Sequence, residues 1–184
     1  MLSFYLRFLL LCTCLFIGAC STLPSANSNK QIKNNWTLSG KIGVTTPDER
    51  VAGFIRWQQQ DENFDIYVSG PLNAGSTHIQ GNLNKITLKH GGKTISGVNP
   101  QQLIYQQLGW HFPLQNLPFW LQGKTSPHSQ AKTTSENDTL TQILQDNWQV
   151  DLSRNHAYYN VPRRIKISQG DWKFLFVAKN WSFD

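Results

Sequence analysis

The sequence predicts a mainly β fold with helices: a strongly curved antiparallel sheet with short helices near its concave face. Three observations carry that. From Trp36 onward apolar residues recur at every second position, the period of a strand with one buried face. Turn residues interrupt the alternation at short intervals, as in an antiparallel meander. Two segments depart from period two, and each is bounded by Pro and Gly as a helix is.

In the first strand Trp36, Leu38, Gly40, Ile42 and Val44 alternate with Thr37, Ser39, Lys41 and Gly43. P-D-E-R turns the chain. Val51, Gly53, Ile55 and Trp57 then share one face, with Phe54 on the other. Phe64, Ile66 and Val68 alternate with Asp65 and Tyr67. S-G-P-L-N-A-G, residues 69–75, reads as a tight connection, because Gly70, Pro71, Asn73 and Gly75 are turn formers. It puts Leu72 at a tip that faces water. Ile79, Gly81 and Leu83, then Ile86 and Leu88, then Ile95 continue the meander between L-N-K and H-G-G-K.

N-P-Q-Q-L-I-Y-Q-Q-L-G predicts a helix with Asn99 as N-cap, Pro100 in the first turn and Gly109 as C-cap. Leu103, Ile104 and Leu108 form its apolar stripe. Q-N-L-P-F-W-L-Q-G predicts a shorter one that starts around Pro118, stops at Gly123 and sets Leu117, Trp120 and Leu121 on one face. The connector between them, W-H-F-P-L, is unusually apolar. Residues 124–138 are expected as a polar loop. Leu140–Leu144 fits strand or helix, and W-Q-V-D-L, R-I-K-I and W-K-F-L-F-V return to strands, with S-Q-G-D as a hairpin turn. A sheet rolled this far leaves a hollow if it stays unclosed, but a filled core gives the same alternation, and the pattern alone favours the filled one.

The first nineteen residues are expected to be a secretory signal. One Arg precedes an apolar run, which ends in Gly18 and Ala19 before Cys20. The run is short and wrongly flanked for a transmembrane anchor. Cys12, Cys14 and Cys20 are all the cysteines in the chain. Residues beyond them therefore hold no disulfide and no thiolate metal site. I-G-A-C resembles the lipobox of bacterial lipoproteins, which implies that Cys20 is lipidated and becomes the new N-terminus. Ser21, where inner-membrane retention uses Asp, then implies the outer membrane. Residues 20–35 read as the lipidated Cys and a small, polar tether, and 36–184 as a single domain.

The rest of the sequence offers no catalytic chemistry. It holds neither a G-x-S-x-G elbow nor a phosphate-binding Gly loop. His78, His90, His111, His128 and His156 have no metal-ligand spacing, so no metal and no cofactor are expected. Lys and Arg outnumber Asp and Glu by 17 to 11, which attracts anionic surfaces without choosing among them. Nucleic acid is an unsuitable partner for a secreted, lipid-anchored chain.

W-T-L-S-G-K-I-G-V, F-I-R-W-Q-Q, a strand ending in G-P-L, G-W-H-F-P-L-Q-N-L-P-F-W-L-Q-G, N-W-Q-V, V-P-R-R-I-K-I and a terminal K-N-W follow one another in this order. Together they resemble the LolB family, outer-membrane receptors of the bacterial lipoprotein-localisation pathway. The block from Gly109 to Gly123 is the most specific part. The resemblance implies an open antiparallel half-barrel with short helices covering an apolar concave face, and so tips the choice toward a hollow. It implies that acylated lipoprotein cargo arrives from the periplasmic carrier LolA and leaves for outer-membrane phospholipid. The receptor is expected to be a lipid-anchored, periplasm-facing monomer without enzymatic activity.

The family's protruding loop Leu corresponds to Leu72, although Gly70 and Asn73 depart from the family's usual turn residues. Candidate acyl-chain cavity residues are Leu38, Ile42, Ile55, Trp57, Phe64, Ile66, Val68 and Ile79 from strands, and Leu103, Leu108, Trp110, Leu117, Trp120 and Leu121 from the helical cover. About half of them are expected only to pack the core. The rival expectation is a lipid-anchored periplasmic scaffold or assembly subunit with a filled core that binds no acyl chain.

Overall fold

The computed structural model describes residues 34–70, 75–155 and 159–184. The expected signal segment, Cys20, nearly all of the tether, Leu72 and His156 lie outside the described residues. The described residues belong to one compact unit, Ile32–Asp184.

Among the described residues, eleven strands form one antiparallel sheet. They are β1 (Asn35–Thr45), β2 (Arg50–Gln60), β3 (Asn63–Ser69), β4 (Ser76–Gly81), β5 (Ile86–His90), β6 (Lys93–Gly97), β7 (Ala131–Glu136), β8 (Thr139–Gln145), β9 (Trp148–Asn155), β10 (Pro162–Gln169) and β11 (Trp172–Phe183). Their spatial order is β6-β5-β4-β3-β2-β1-β11-β10-β9-β8-β7. Two meanders therefore run outward from a central seam in which the first strand pairs with the last. β6 and β7 are edges that do not pair with each other, so the sheet is an open half-barrel.

Two helices lie in the connection between those edges: α1 (Pro100–Leu108) and α2 (Leu117–Trp120). α1 forms where its caps direct. Asn99 Oδ1 accepts from the Gln102 N–H at 3.3 Å, Pro100 opens the first turn, and Gly109 closes the helix at φ 66°. α2 is a single turn; its N-cap Asn116 donates from Nδ2 to Asp146 Oδ2 at 2.7 Å instead of capping with its side chain.

The period-two pattern is the burial pattern. Trp36, Leu38, Ile42 and Val44 of β1 are buried, while Lys41 between them is exposed. The apolar connector packs onto the concave face. Phe112 lies 6.2 Å from Trp57 and 5.2 Å from Phe174, ring centre to ring centre, bridging strands from both meanders. Leu114, Leu117, Trp120 and Leu121 extend this cover, each at most 2% exposed.

One reading changes, and one open alternative is settled. Residues 131–136, expected as part of a polar loop, form edge strand β7, paired along β8. Its residues are almost all exposed, so no apolar alternation marks it. Leu140–Leu144 is strand, within β8.

Candidate functional site

Register sorts the connections to the two ends of the sheet. Thr45 faces both Arg50 and Lys173, so the β1–β2 and β10–β11 turns share one end. The β3–β4 connection lies on that side too. The opposite end holds Asn35, where the chain enters β1, facing Gln60. β1 has 11 residues, so the ends are about 35 Å apart.

A cleft of about 610 Å³ opens at the turn end. Ile42 and Val44 of β1, Val51 and Ala52 of β2, and Val68 of β3 supply apolar wall, and Leu108 and Trp110 close it from the helical side. Gly53 lets β2 and β3 approach here, since a Cβ at that position would lie 2.2 Å from the Ser69 carbonyl oxygen. Gly70 and Gly75 sit at the mouth, and the Gly70 N–H donates to the Gly75 carbonyl at 3.2 Å. The loop that carries Leu72 in sequence therefore springs from the mouth of the cleft. The polar rim comprises Glu49, Ser69, Thr77, His90 and Gln107. Thr46 holds the neighbouring turn, its hydroxyl accepting from the N–H groups of Asp48 (3.2 Å) and Glu49 (3.0 Å).

Thr77 Oγ1 and His90 Nδ1 are 2.8 Å apart, yet among the described residues no carboxylate is bonded to His90. Nor does any group of His, Cys, Asp or Glu among them suit a metal ion. What the cleft offers is an apolar wall beneath a polar rim.

Of the candidate cavity residues, Ile42, Val68, Leu108 and Trp110 line this cleft. Leu38, Ile55, Trp57, Phe64, Ile66, Ile79, Leu117, Trp120 and Leu121 are packed in the core, each 4% exposed or less, and none borders it. Leu103 packs partly buried against that core. The concave face is thus filled along most of its length and open at one end. Val44, Val51 and Ala52 were missed as wall residues. Their proximity to the P-D-E-R turn was the available signal, because a cavity at a sheet end is built from residues next to turns.

The sequence pattern of the family described as outer membrane lipoprotein LolB matches residues 34–181. The outer-membrane lipoprotein LolB of Stutzerimonas stutzeri is 32% identical over 152 residues, 80% of this chain and 74% of that protein. Its namesake from a Marinomonas species is 28% identical over 176 residues, 90% of this chain and 92% of that protein. A crystal structure of a LolA superfamily protein, NE2245 from Nitrosomonas europaea, superimposes with a TM-score of 0.50 over 83% of this chain and 87% of its own, at 9% identity, a likeness of fold alone. By sequence pattern and relatives together, the chain belongs to the LolB family of outer membrane lipoproteins, which are not enzymes.

Proposed function

We infer that this chain is the outer-membrane receptor that accepts acylated lipoproteins from a soluble periplasmic carrier, LolA, and releases them into the phospholipid of that membrane. It works as a periplasm-facing monomer held by lipid on Cys20. The observation that carries this reading is the apolar cleft whose mouth is the base of the Leu72 loop.

Magnitudes shape the step. A triacylated cargo carries about forty-five methylenes, and exposing them to water costs on the order of 35 kcal/mol. The cargo must therefore pass between apolar surfaces without a free interval. A methylene fills about as much space as a water molecule in the liquid, about 30 Å³, so a chain of about sixteen carbons needs roughly 480 Å³. The cleft's 610 Å³ is volume enough for about one such chain. Admission of the others requires the helical cover to shift. With no energy source at the site, direction comes from affinity alone: higher than the carrier's, lower than the membrane's. Burial of one Leu is worth roughly 1.5–3 kcal/mol, enough to tilt a loop into a bilayer and too little to anchor a protein. Leu72 serves delivery in this way.

The test is a transfer assay from loaded carrier to liposomes. Leu72→Glu is expected to accept cargo as the unaltered chain does and to insert at least tenfold less of it. Equal insertion by both proteins overturns the role of the loop. Failure of the unaltered chain to take up any acylated probe overturns the reading as a whole and favours a scaffold with a filled core.

A further inference from the structure

The broad side of the sheet turned away from the helices has a chemistry of its own. The strands at its middle, β2, β1, β11 and β10, contain no Asp and no Glu. Alternation turns Lys41, Arg50, Arg56, Arg164, Lys166 and Lys173 to this convex side, and each is exposed. Register gathers them. Lys41 faces Phe54 on one side and Val177 on the other, and Val177 faces Arg164. Two residues nearer the turn end, Leu175 faces Gly43 and Lys166. Two further on, Thr45 faces Arg50 and Lys173. The patch spans neighbouring strands and is about 14 Å wide.

Lys166 meets Asp151 of β9 at 3.4 Å. Among the described residues, Lys41, Arg50, Arg56, Arg164 and Lys173 have no carboxylate within ion-pair distance. Like charges gathered in this way cost the sheet stability, and an anionic partner offsets that cost. Apolar side chains stand between the cations: Phe54 is 48% exposed, and Leu175 and Val177 are half-buried. Residues 98–123, which form the helical cover, contain no Lys, Arg, Asp or Glu. Of the two broad sides, the convex one is therefore the side that attracts anions. Cations interleaved with aromatic and aliphatic groups suit a surface with phosphates above and hydrocarbon beneath.

The placement of the two ends favours the same partner. The chain enters at Asn35, at one end of the sheet, and the cleft opens at the other, about 35 Å away. The lipid on Cys20 and the Leu72 loop address one membrane. Upright on either end, the sheet would hold the other end about 35 Å from the bilayer. Lying on its convex side, it sets both ends beside the headgroups and turns the helical cover to the periplasm. We propose that the convex patch around Lys41 docks on the anionic phospholipid headgroups of the membrane that anchors the chain. The proposal deepens the receptor reading and rests on it for the anchor at Cys20. Each Lys or Arg at such a surface strengthens attachment about fivefold, and salt weakens the attraction.

The experiment uses the full, lipidated chain, labelled with 15N, in nanodiscs of phosphatidylethanolamine mixed with either phosphatidylglycerol or neutral phosphatidylcholine. A trace of lipid in each disc carries a spin label on its headgroup. In the phosphatidylglycerol discs the amide signals of Lys41, Phe54 and Val177 are expected to broaden and that of Ile104 in α1 to stay sharp. The contrast should fade in the neutral discs and in high salt. Lys41→Glu combined with Arg164→Glu should lower the docked population at least tenfold. Equal broadening on both sides of the sheet, broadening of the helical cover alone, or the same broadening in neutral discs overturns the inference. So do convex signals that ignore the discs but shift with polyglutamate, which assigns the patch to an acidic protein. Uptake of a fluorescent fatty-acid analogue by the same discs reads the receptor role separately. Uptake without docking overturns this inference alone, and docking without uptake supports it while overturning the cargo role. The comparison of discs on the unaltered chain decides the matter even where the double variant fails to fold.

Discussion

Trp120 and Gln145 are joined by a buried hydrogen bond of 2.9 Å from the indole Nε1 to the amide Oε1. The same oxygen accepts from the Ser126 N–H at 2.9 Å, and the amide nitrogen donates to the carbonyls of Ser126 (2.7 Å) and Ser129 (2.8 Å). One side chain of β8 thereby ties α2 and the chain after it to the sheet. Gln145→Leu leaves two donors buried without acceptors and is expected to cost about 3 kcal/mol. Urea unfolding should show a lower midpoint at an unchanged slope.

The cleft is expected to tolerate filling. Leu108 lies half-buried at the end of α1 and borders open space. Leu108→Trp should lower uptake of a fluorescent fatty-acid analogue by about tenfold, because added ring atoms occupy the volume a chain needs. Circular dichroism and the melting temperature should stay close to those of the parent.

Cys20→Ala should move the protein from the membrane fraction to the soluble one without loss of structure. Each buried methylene holds an acyl anchor with about 0.8 kcal/mol, so removal of the chains removes the attachment. The sheet begins only at Asn35, beyond the proposed lipidation site. Fractionation and the circular dichroism of the soluble variant check both halves.

Acid should weaken one junction of the second meander. Partial burial pushes the Asp151 carboxyl up. Hydrogen bonds from Gln142 (3.0 Å), Gln149 (2.8 Å) and Lys166 (3.4 Å), with the Lys166 charge, outweigh that and hold it below its ordinary value. A carboxyl lowered in the folded state contributes stability above its unfolded pKa and loses it as pH falls through the folded one. Asp151→Asn should therefore be less stable at neutral pH, by under about 1 kcal/mol for so exposed a group. The deficit should vanish once the pH falls below the usual carboxylate range. Urea titrations at both pH values test this.

How much of this could be read beforehand depends on which physical signal each part emits. β1, β2 and β3 were legible because each has one buried face, and α1 because Asn99, Pro100 and Gly109 each have one local task. β7 was not. Lys132, Thr133, Thr134 and Ser135 are all exposed, and only backbone pairing with β8 makes them a strand. The curved, unclosed sheet followed from pattern and resemblance together. The cleft followed less well. Alternation tells which side of a strand is apolar. It does not tell whether Trp57, which meets Phe112, touches a neighbour, or whether Val68 borders a void. That difference is set by what crosses the concave face, and an apolar connector without periodicity announces itself only by composition.

The seam between β1 and β11 is the long-range pairing of the sheet. Its register runs from Trp36 with Phe183 to Thr45 with Lys173, almost the full span of the folded unit in sequence. Closing so long a loop is slow and unrewarded until both partners are present. The seam can therefore form only once β11 has been made, whereas every other pairing joins strands adjacent in sequence and can form as a local hairpin.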